Sequence, residues 1–157
     1  MKIRLLQIGK TNEQYLLNGI EEYSNRIKIY IPFEMEVIPY LKNSNSFTPE
    51  LLKQKEGELI VNRIKKEDVL ILLDEKGKTF SSVGFSKFLQ QQMNLGNKQL
   101  TFLIGGAYGF SPEVYNRANG KISLSEMTFS HQIIRLIFIE QLYRALTIIH
   151  HHPYHHE

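Results

Sequence analysis

The sequence predicts an α/β protein, a parallel sheet with helices on both faces, and three observations carry that prediction. Short apolar runs suited to strands alternate with longer runs whose apolar residues recur at helical spacing, the pattern that gathers strands into one layer. One run, Asp68 to Asp74 (DVLILLD), has the continuous apolar character of a strand covered on both faces. A glycine loop, Gly105 to Gly109, follows a second such run, Leu100 to Ile104, at the strand end where open α/β sheets bind ligands.

Taken in order, Lys2 to Ile8 is short, rich in Ile and Leu, and predicts a buried first strand. A helix is expected from about Glu13 to Ile29, because Tyr15, Leu16, Ile20, Tyr23 and Ile27 recur at helical spacing, and Pro32 stops it. Met35 to Tyr40 predicts a second strand. Leu41 to Phe47 (LKNSNSF) is polar and turn-prone, the best candidate for a mobile loop. Thr48-Pro49 supplies a capping hydroxyl and a first-turn proline for the next helix. After the central strand Asp68–Asp74, Ser82 is expected to cap a helix running to about Asn94. Ser111-Pro112-Glu113 begins a short helix, Lys121 to Ser125 predicts the last strand, and His131 to His150 a long closing helix. No repeat or linker divides the chain, so residues 1–157 are read as one domain.

Composition bounds the function. At 157 residues with 42% apolar and 22% charged residues, the chain can bury a core and does not read as disordered. The formal charge of +3 is compatible with a nucleic-acid partner without requiring one. The absence of cysteine excludes disulfides, thiolate catalysis and a cysteine zinc site, and no metal is expected. The start, Met1-Lys2-Ile3-Arg4, leads into no signal-peptide core, and the apolar stretch Ile133 to Ile149 is broken by Arg135, Glu140 and Arg144, so no membrane span is expected. A cytoplasmic protein is the default expectation.

Two nucleotide motifs fit only in part. Gly9-Lys10-Thr11 after a strand resembles the end of a phosphate loop, but Arg4 stands where that loop needs its upstream glycine. Gly105-Gly106-Ala107-Tyr108-Gly109 lacks the G-x-G-x-x-G spacing of a dinucleotide site. On its own this loop is equally a tight turn or a place where a ligand's rings approach bare backbone.

From Leu103 onward the sequence carries a denser pattern: LIGGAYG (Leu103 to Gly109), LSEMTFSHQIIR (Leu124 to Arg135), EQLYRA (Glu140 to Ala145) and HPYHHE (His152 to Glu157). Weaker matches run through the EEY of Glu21 to Tyr23, the KEG of Lys55 to Gly57 and the LDEKGK of Leu73 to Lys78. In order, spacing and length the chain resembles the ribosomal RNA large-subunit methyltransferase H family of the SPOUT superfamily. The resemblance implies a parallel-sheet α/β knot, its carboxy-terminal part threaded into a trefoil. It implies a homodimer that transfers a methyl group from S-adenosylmethionine to N3 of a pseudouridine in 23S rRNA, on the assembled ribosome. It implies a cofactor site at Leu73, Gly105 and the run Leu124, Ser125, Glu126, Met127, Thr128 and Phe129. The family often has proline where this chain has Ser130, which is expected either to loosen the turn or to cap the last helix. Without the resemblance, Leu73 and Met127 would read as core residues.

Methylating an imide nitrogen requires in-line alignment and a group that accepts the N–H proton. His155 is the candidate base, and Tyr154 a ring to stack on or orient the acceptor. The alternative is a solvated histidine-rich end or a purification tag, against which the interrupting Pro153-Tyr154 argues. Arg135, four residues from His131, is a third candidate at the site; it and Arg144 would hold RNA phosphate, the cofactor carboxylate or a subunit contact. Glu140 and Arg144 read as an ordinary helix ion pair, within the chain or across a dimer. The closing helix is apolar nearly all round, so one face is expected on the sheet and another against a second copy. Arg4, Lys10, Arg26, Lys28 and Lys42 are scattered, so recognition of a large assembled shape is expected rather than of a short oligonucleotide. The competing readings are a SPOUT-type methyltransferase with another RNA target and a non-catalytic ribosome-binding factor of the same fold.

Overall fold

A computed structural model describes residues 1–156; Glu157, the last residue of the HPYHHE motif, lies outside the described residues. The strands are β1 (Lys2–Ile8), β2 (Phe33–Ile38), β3 (Val69–Thr79), β4 (Gln99–Ile104) and β5 (Gly120–Ser123). The helices are α1 (Gln14–Lys28), α2 (Pro49–Val61), α3 (Ser82–Asn94), α4 (Pro112–Arg117) and α5 (Ile133–Ile149). The strands form one sheet in the order β2-β1-β4-β3-β5, and each neighbouring pair is parallel. In register, Leu5 stands beside Phe102, and Phe102 beside Ile71.

Alternation along the strands divides the core between two faces. On one, Ile3, Leu5, Ile71 and Phe102 meet Ile20 and Ile27 of α1, Phe85 and Leu89 of α3, and Phe138 and Leu142 of α5. On the other, Leu6, Ile8, Leu72 and Leu103 meet Ile60 of α2 and Val114 of α4. Each of these aliphatic side chains contributes about 1.5–3 kcal/mol by leaving water. Phe102 and Phe138, with ring centroids 4.8 Å apart, lock α5 to the centre of the sheet.

The local signals and the structure differ at several boundaries. Ser81, not Ser82, caps α3: its backbone is extended and its hydroxyl accepts from the Gly84 N–H at 3.0 Å. β3 runs five residues past Asp74, because the chain bulges after Leu73 and pairs with β5 again at Lys78. β2 starts at Phe33, whose pairing with Ile3 needs no apolar residue at every position, and β5 ends at Ser123. The segment Leu41–Phe47 contains one turn of 3-10 helix, Ser44–Ser46. Thr48 caps α2 as its sequence predicts, accepting from Leu51 N–H at 3.2 Å.

The amino end of the sheet holds a buried polar network. Arg4 donates to Thr101 Oγ1 (3.2 Å) and the Arg63 carbonyl (3.1 Å), and pairs with Glu36 (3.3 Å) and Asp68 (3.5 Å). Asp68 also accepts from Gln99 (2.9 Å) and the Lys65 N–H (3.2 Å). At the opposite end, the chain leaving β5 at the far edge travels past β4 to β1, where Gln132 donates to the Lys10 carbonyl (3.2 Å) and accepts from Asn12 N–H (3.0 Å). That traverse sets α5 against α1 and α3. No helix among the described residues is long and apolar enough to cross a membrane.

Candidate functional site

Three segments converge at the carboxyl end of the sheet: the end of β3 beyond Leu73, the glycine loop after β4, and the loop joining β5 to α5. They enclose a cavity of about 640 Å³. Its walls include Leu73, Gly105 and each of Leu124, Ser125, Glu126, Met127, Thr128 and Phe129, together with Tyr115, His131 and Ile134. Residues more than fifty positions apart in the chain are thus brought into one wall because parallel strands end side by side.

The β5–α5 loop is shaped by serines. Ser123 donates to the Ser125 carbonyl (3.0 Å), and the Ser125 hydroxyl accepts from Met127 N–H (2.9 Å). Ser130 hydroxyl accepts from Ile133 N–H (3.3 Å), and its carbonyl from Ile134 N–H (3.1 Å), so it satisfies orphan donors at the start of α5. Of the two alternatives for this position, the capping one describes the structure. The loop leaves Met127 77% exposed, so Met127 is not a core residue. The glycine loop is pressed from behind: a side chain on Gly105 would meet the Phe110 ring at 2.8 Å, and one on Gly106 the Glu56 carboxylate at 2.7 Å. Bare backbone therefore faces the cavity.

Asp74, at the mouth, accepts from Lys76 N–H (2.7 Å) and from the Tyr115 hydroxyl in a short hydrogen bond. Burial and then the bond to Asp74 push the Tyr115 phenol up to about 12. His131 lines the cavity while exposed, with Nε2 3.5 Å from the Tyr40 hydroxyl. Sequence reasoning passed over Tyr115 as a site residue; its helix starts at Pro112, directly after the glycine loop, and that proximity was the available signal.

Arg135 does not line the cavity. It is fully buried beside it, donating to the Ile8 carbonyl (2.8 Å) and Thr11 Oγ1 (2.9 Å), while its Nε has no acceptor among the described residues. Burial lowers its pKa, and Tyr40 acts in the opposite direction. Arg135 and Gln132 together pin the loop after β1 to α5. That fixed loop is not a phosphate cradle: Gly9, at φ +75°, has the Tyr40 ring against its Cα, and Arg4 lies inside β1.

Tyr154 and His155 also lie away from the cavity of their own chain, against α1 and α5. The Tyr154 hydroxyl donates to Glu140 Oε1 (3.1 Å) and lies 3.1 Å from the Tyr23 hydroxyl; its ring meets Tyr143 at 4.7 Å and carries the Arg144 guanidinium at 4.8 Å. Burial, then the bond to Tyr23, raise the Tyr154 phenol above its ordinary value. Glu140 and Arg144 pair within one helix (2.5 Å), and Arg144 reaches His155 Nδ1 at 3.4 Å. Within the tail Tyr154 and His155 are partly covered, while His151, His152, Pro153 and His156 are exposed. Among the described residues no cluster of His, Cys, Asp and Glu is arranged to hold a metal ion.

Comparison with known proteins matches residues 1–155 to the family described as "Predicted SPOUT methyltransferase". The chain is 57% identical over 157 residues, the full length of both chains, to the ribosomal RNA large subunit methyltransferase H of Parabacteroides distasonis. It is 55% identical, again over the full length of both chains, to the protein of that name from Flavobacterium johnsoniae, and 54% identical over 99% of both chains to that of Christiangramia forsetii.

Proposed function

The chain belongs to the ribosomal RNA large subunit methyltransferase H family of SPOUT methyltransferases, and on that premise we propose that this rRNA methyltransferase acts on N3 of a pseudouridine in 23S rRNA of the assembled ribosome, with S-adenosylmethionine as methyl donor. The observation that carries the reading is the convergence of Leu73, Gly105 and residues 124–129 on one cavity. Its volume is in the range of small-molecule sites and admits a nucleoside with an amino-acid arm. When bound, S-adenosylmethionine supplies an electrophilic methyl group on a sulfonium. Leu73 and the neighbouring Ile122 offer apolar contact for adenine, and the backbone of Gly105 and the 124–129 run offers hydrogen bonds to its edge. Their task is alignment, since an in-line displacement gains most from fixing the reacting atoms in place.

The imide proton needs an acceptor, and His155, oriented through Arg144 and neighboured by Tyr154, is the proposed base. Because the tail packs away from its own chain's cavity, it serves a cavity only as part of a homodimer, in which each copy presents its tail to the other. The outer stripe of α5, with Ile133, Ile137 and Ile148 only partly covered, supports that association. Arg135, buried outside the cavity, acts as a positioning residue that fixes the loop after β1 against α5. The traverse from β5 to β1 is compatible with trefoil threading, which we include in the proposal. An rRNA substrate assigns the enzyme to the cytoplasm.

The decisive experiment is mass spectrometry of 23S rRNA from cells lacking the gene, beside calorimetric titration of the protein with S-adenosylmethionine. Loss of one N3-methylated pseudouridine and a single binding event are expected. Loss of a different modified nucleotide would replace the target, and absence of binding would make the protein a non-catalytic ribosome-binding factor. Sedimentation at micromolar concentration should give a dimer; a monomer would remove the shared-tail arrangement.

A further inference from the structure

Beside the cavity, and sharing Lys76 and Tyr115 with it, lies a second hollow of about 510 Å³. Leu72, Lys76, Tyr115, Asn119, Gly120 and Lys121 wall it, at the edge of the sheet that β5 forms. Lys121 stands beside Leu72 in register, so it projects from the α2 and α4 face, across the sheet from α5. Its Nζ lies 5.5 Å from the centre of the Tyr115 ring. A side chain on Gly77 would meet the Ile122 backbone at 2.4 Å, so the β3 bulge that carries Lys76 lies directly on β5. Tyr115, tied to Asp74, is the partition between the two spaces. Charge differs across it. The cavity is lined by Asp74, Glu75 and Glu126 against Lys76, whereas the hollow is lined by Lys76 and Lys121 with no carboxylate. Both lysines are exposed, and neither pairs with a carboxylate among the described residues.

We propose that this hollow is the phosphate-binding track for the RNA substrate: Lys76 and Lys121 hold the backbone beside the acceptor nucleotide, whose base passes Tyr115 into the cavity mouth. The inference rests on the rRNA methyltransferase reading above. Charge complementarity carries it. S-adenosylmethionine bears a sulfonium and an ammonium against one carboxylate, so a cationic donor suits the side of Tyr115 that holds three carboxylates. RNA is a polyanion, and lysine contacts to its phosphates supply much of its affinity. The same three carboxylates repel it, so its backbone belongs on the lysine side of the partition. Because the hollow lies across the sheet from α5, association of two copies through α5 leaves it open.

The test uses the full chain, with ribosomes from cells lacking the gene as substrate. Lys121→Gln, Lys121→Arg and, on the α3 face, Lys87→Gln are compared with wild type. Three quantities are measured: KM and kcat for ribosomes, the salt dependence of kcat/KM, and the dissociation constant for S-adenosylmethionine. Lys121→Gln is expected to raise KM about five- to tenfold and to flatten the slope of log kcat/KM against log salt by about one. Its kcat and donor affinity should stay within about twofold of wild type, since a phosphate contact acts on RNA binding alone. Lys121→Arg keeps the charge and should restore KM, and Lys87→Gln should match wild type. Ultraviolet crosslinking of the wild type to ribosomes should leave nucleotide adducts on a peptide spanning residues 115–121. Wild-type KM and slope in Lys121→Gln overturn the proposal. So does an equal rise in KM in Lys87→Gln, which means general charge attraction, and so do adducts confined to other peptides. Self-association of Lys121→Gln with unchanged KM also overturns it, and assigns the lysine to guarding an edge strand. A wild-type protein that leaves these ribosomes unmethylated defeats the rRNA reading itself, an outcome distinct from these.

Discussion

At the amino end of the sheet Arg4 and Asp68 are buried together, whereas at the carboxyl end Arg135 and Glu56 are each buried without an oppositely charged partner among the described residues. The first pair is surrounded by Thr101, Gln99, Glu36 and backbone groups that satisfy its remaining hydrogen-bonding capacity. Arg135 retains an orphan Nε, and Glu56 faces glycine. Both ends bury charge at comparable depth, so burial alone does not distinguish structure from function. Satisfaction does: the Arg4–Asp68 network finds its partners on all sides, whereas Arg135, held by the Ile8 carbonyl and Thr11, keeps one N–H without an acceptor among the described residues.

The largest effect that would break this contrast is at Asp68. Asp68→Ala strands Arg4 and is expected to cost about 3–5 kcal/mol in urea denaturation, with the activity of the folded fraction unchanged; a mild effect would mean that Glu36 alone satisfies Arg4. Next is Arg135→Lys, which keeps the charge and loses the planar fork. Methyl transfer should fall about 100-fold through misplacement of the loop it pins, with the melting temperature shifted far less than in Asp68→Ala. An equal loss of stability in both variants would erase the difference between the ends.

In the tail, Tyr154 lies between these extremes, partly buried and hydrogen-bonded at its hydroxyl. Tyr154→Phe removes the bonds to Glu140 and Tyr23 and should cost about 1 kcal/mol. Because the Tyr154 phenol is raised above the ordinary value of 10.0, its stabilisation is present below that pH and lost as pH rises through the folded-state value. The variant should therefore lose part of the alkaline decline in stability seen in the wild type, measured by denaturant midpoints above pH 10. The smallest effect is spectroscopic: a tyrosinate absorbance step near pH 12, absent from Tyr115→Phe, would report the burial of Tyr115 and its bond to Asp74 at the cavity mouth.

Much of this was legible in local pattern. DVLILLD had to be a covered strand, Thr48-Pro49 and Ser111-Pro112 had to start helices, and the glycines after β4 had to sit at a strand end. The run LSEMTF was recognisable by resemblance, although its residue types alone would have sent Met127 into the core. The loop serines that shape the run, the capping by Ser81 in place of Ser82, and the bulge that carries β3 to Thr79 depend on backbone geometry that adjoining residues leave open.

From the sequence alone come the alternation of strands and helices, the continuous apolar strands and the helix starts, because these arise from periodicity and from contacts a few residues apart. Only the tertiary structure decided that Arg135 pins the β1 loop from the interior, that Tyr154 turns toward Tyr23 and Glu140, and that Glu56 stands behind Gly106. Those are meetings of residues fourteen to more than a hundred positions apart. Their partners are set by the order in which strands lie side by side, which no local pattern of side chains encodes.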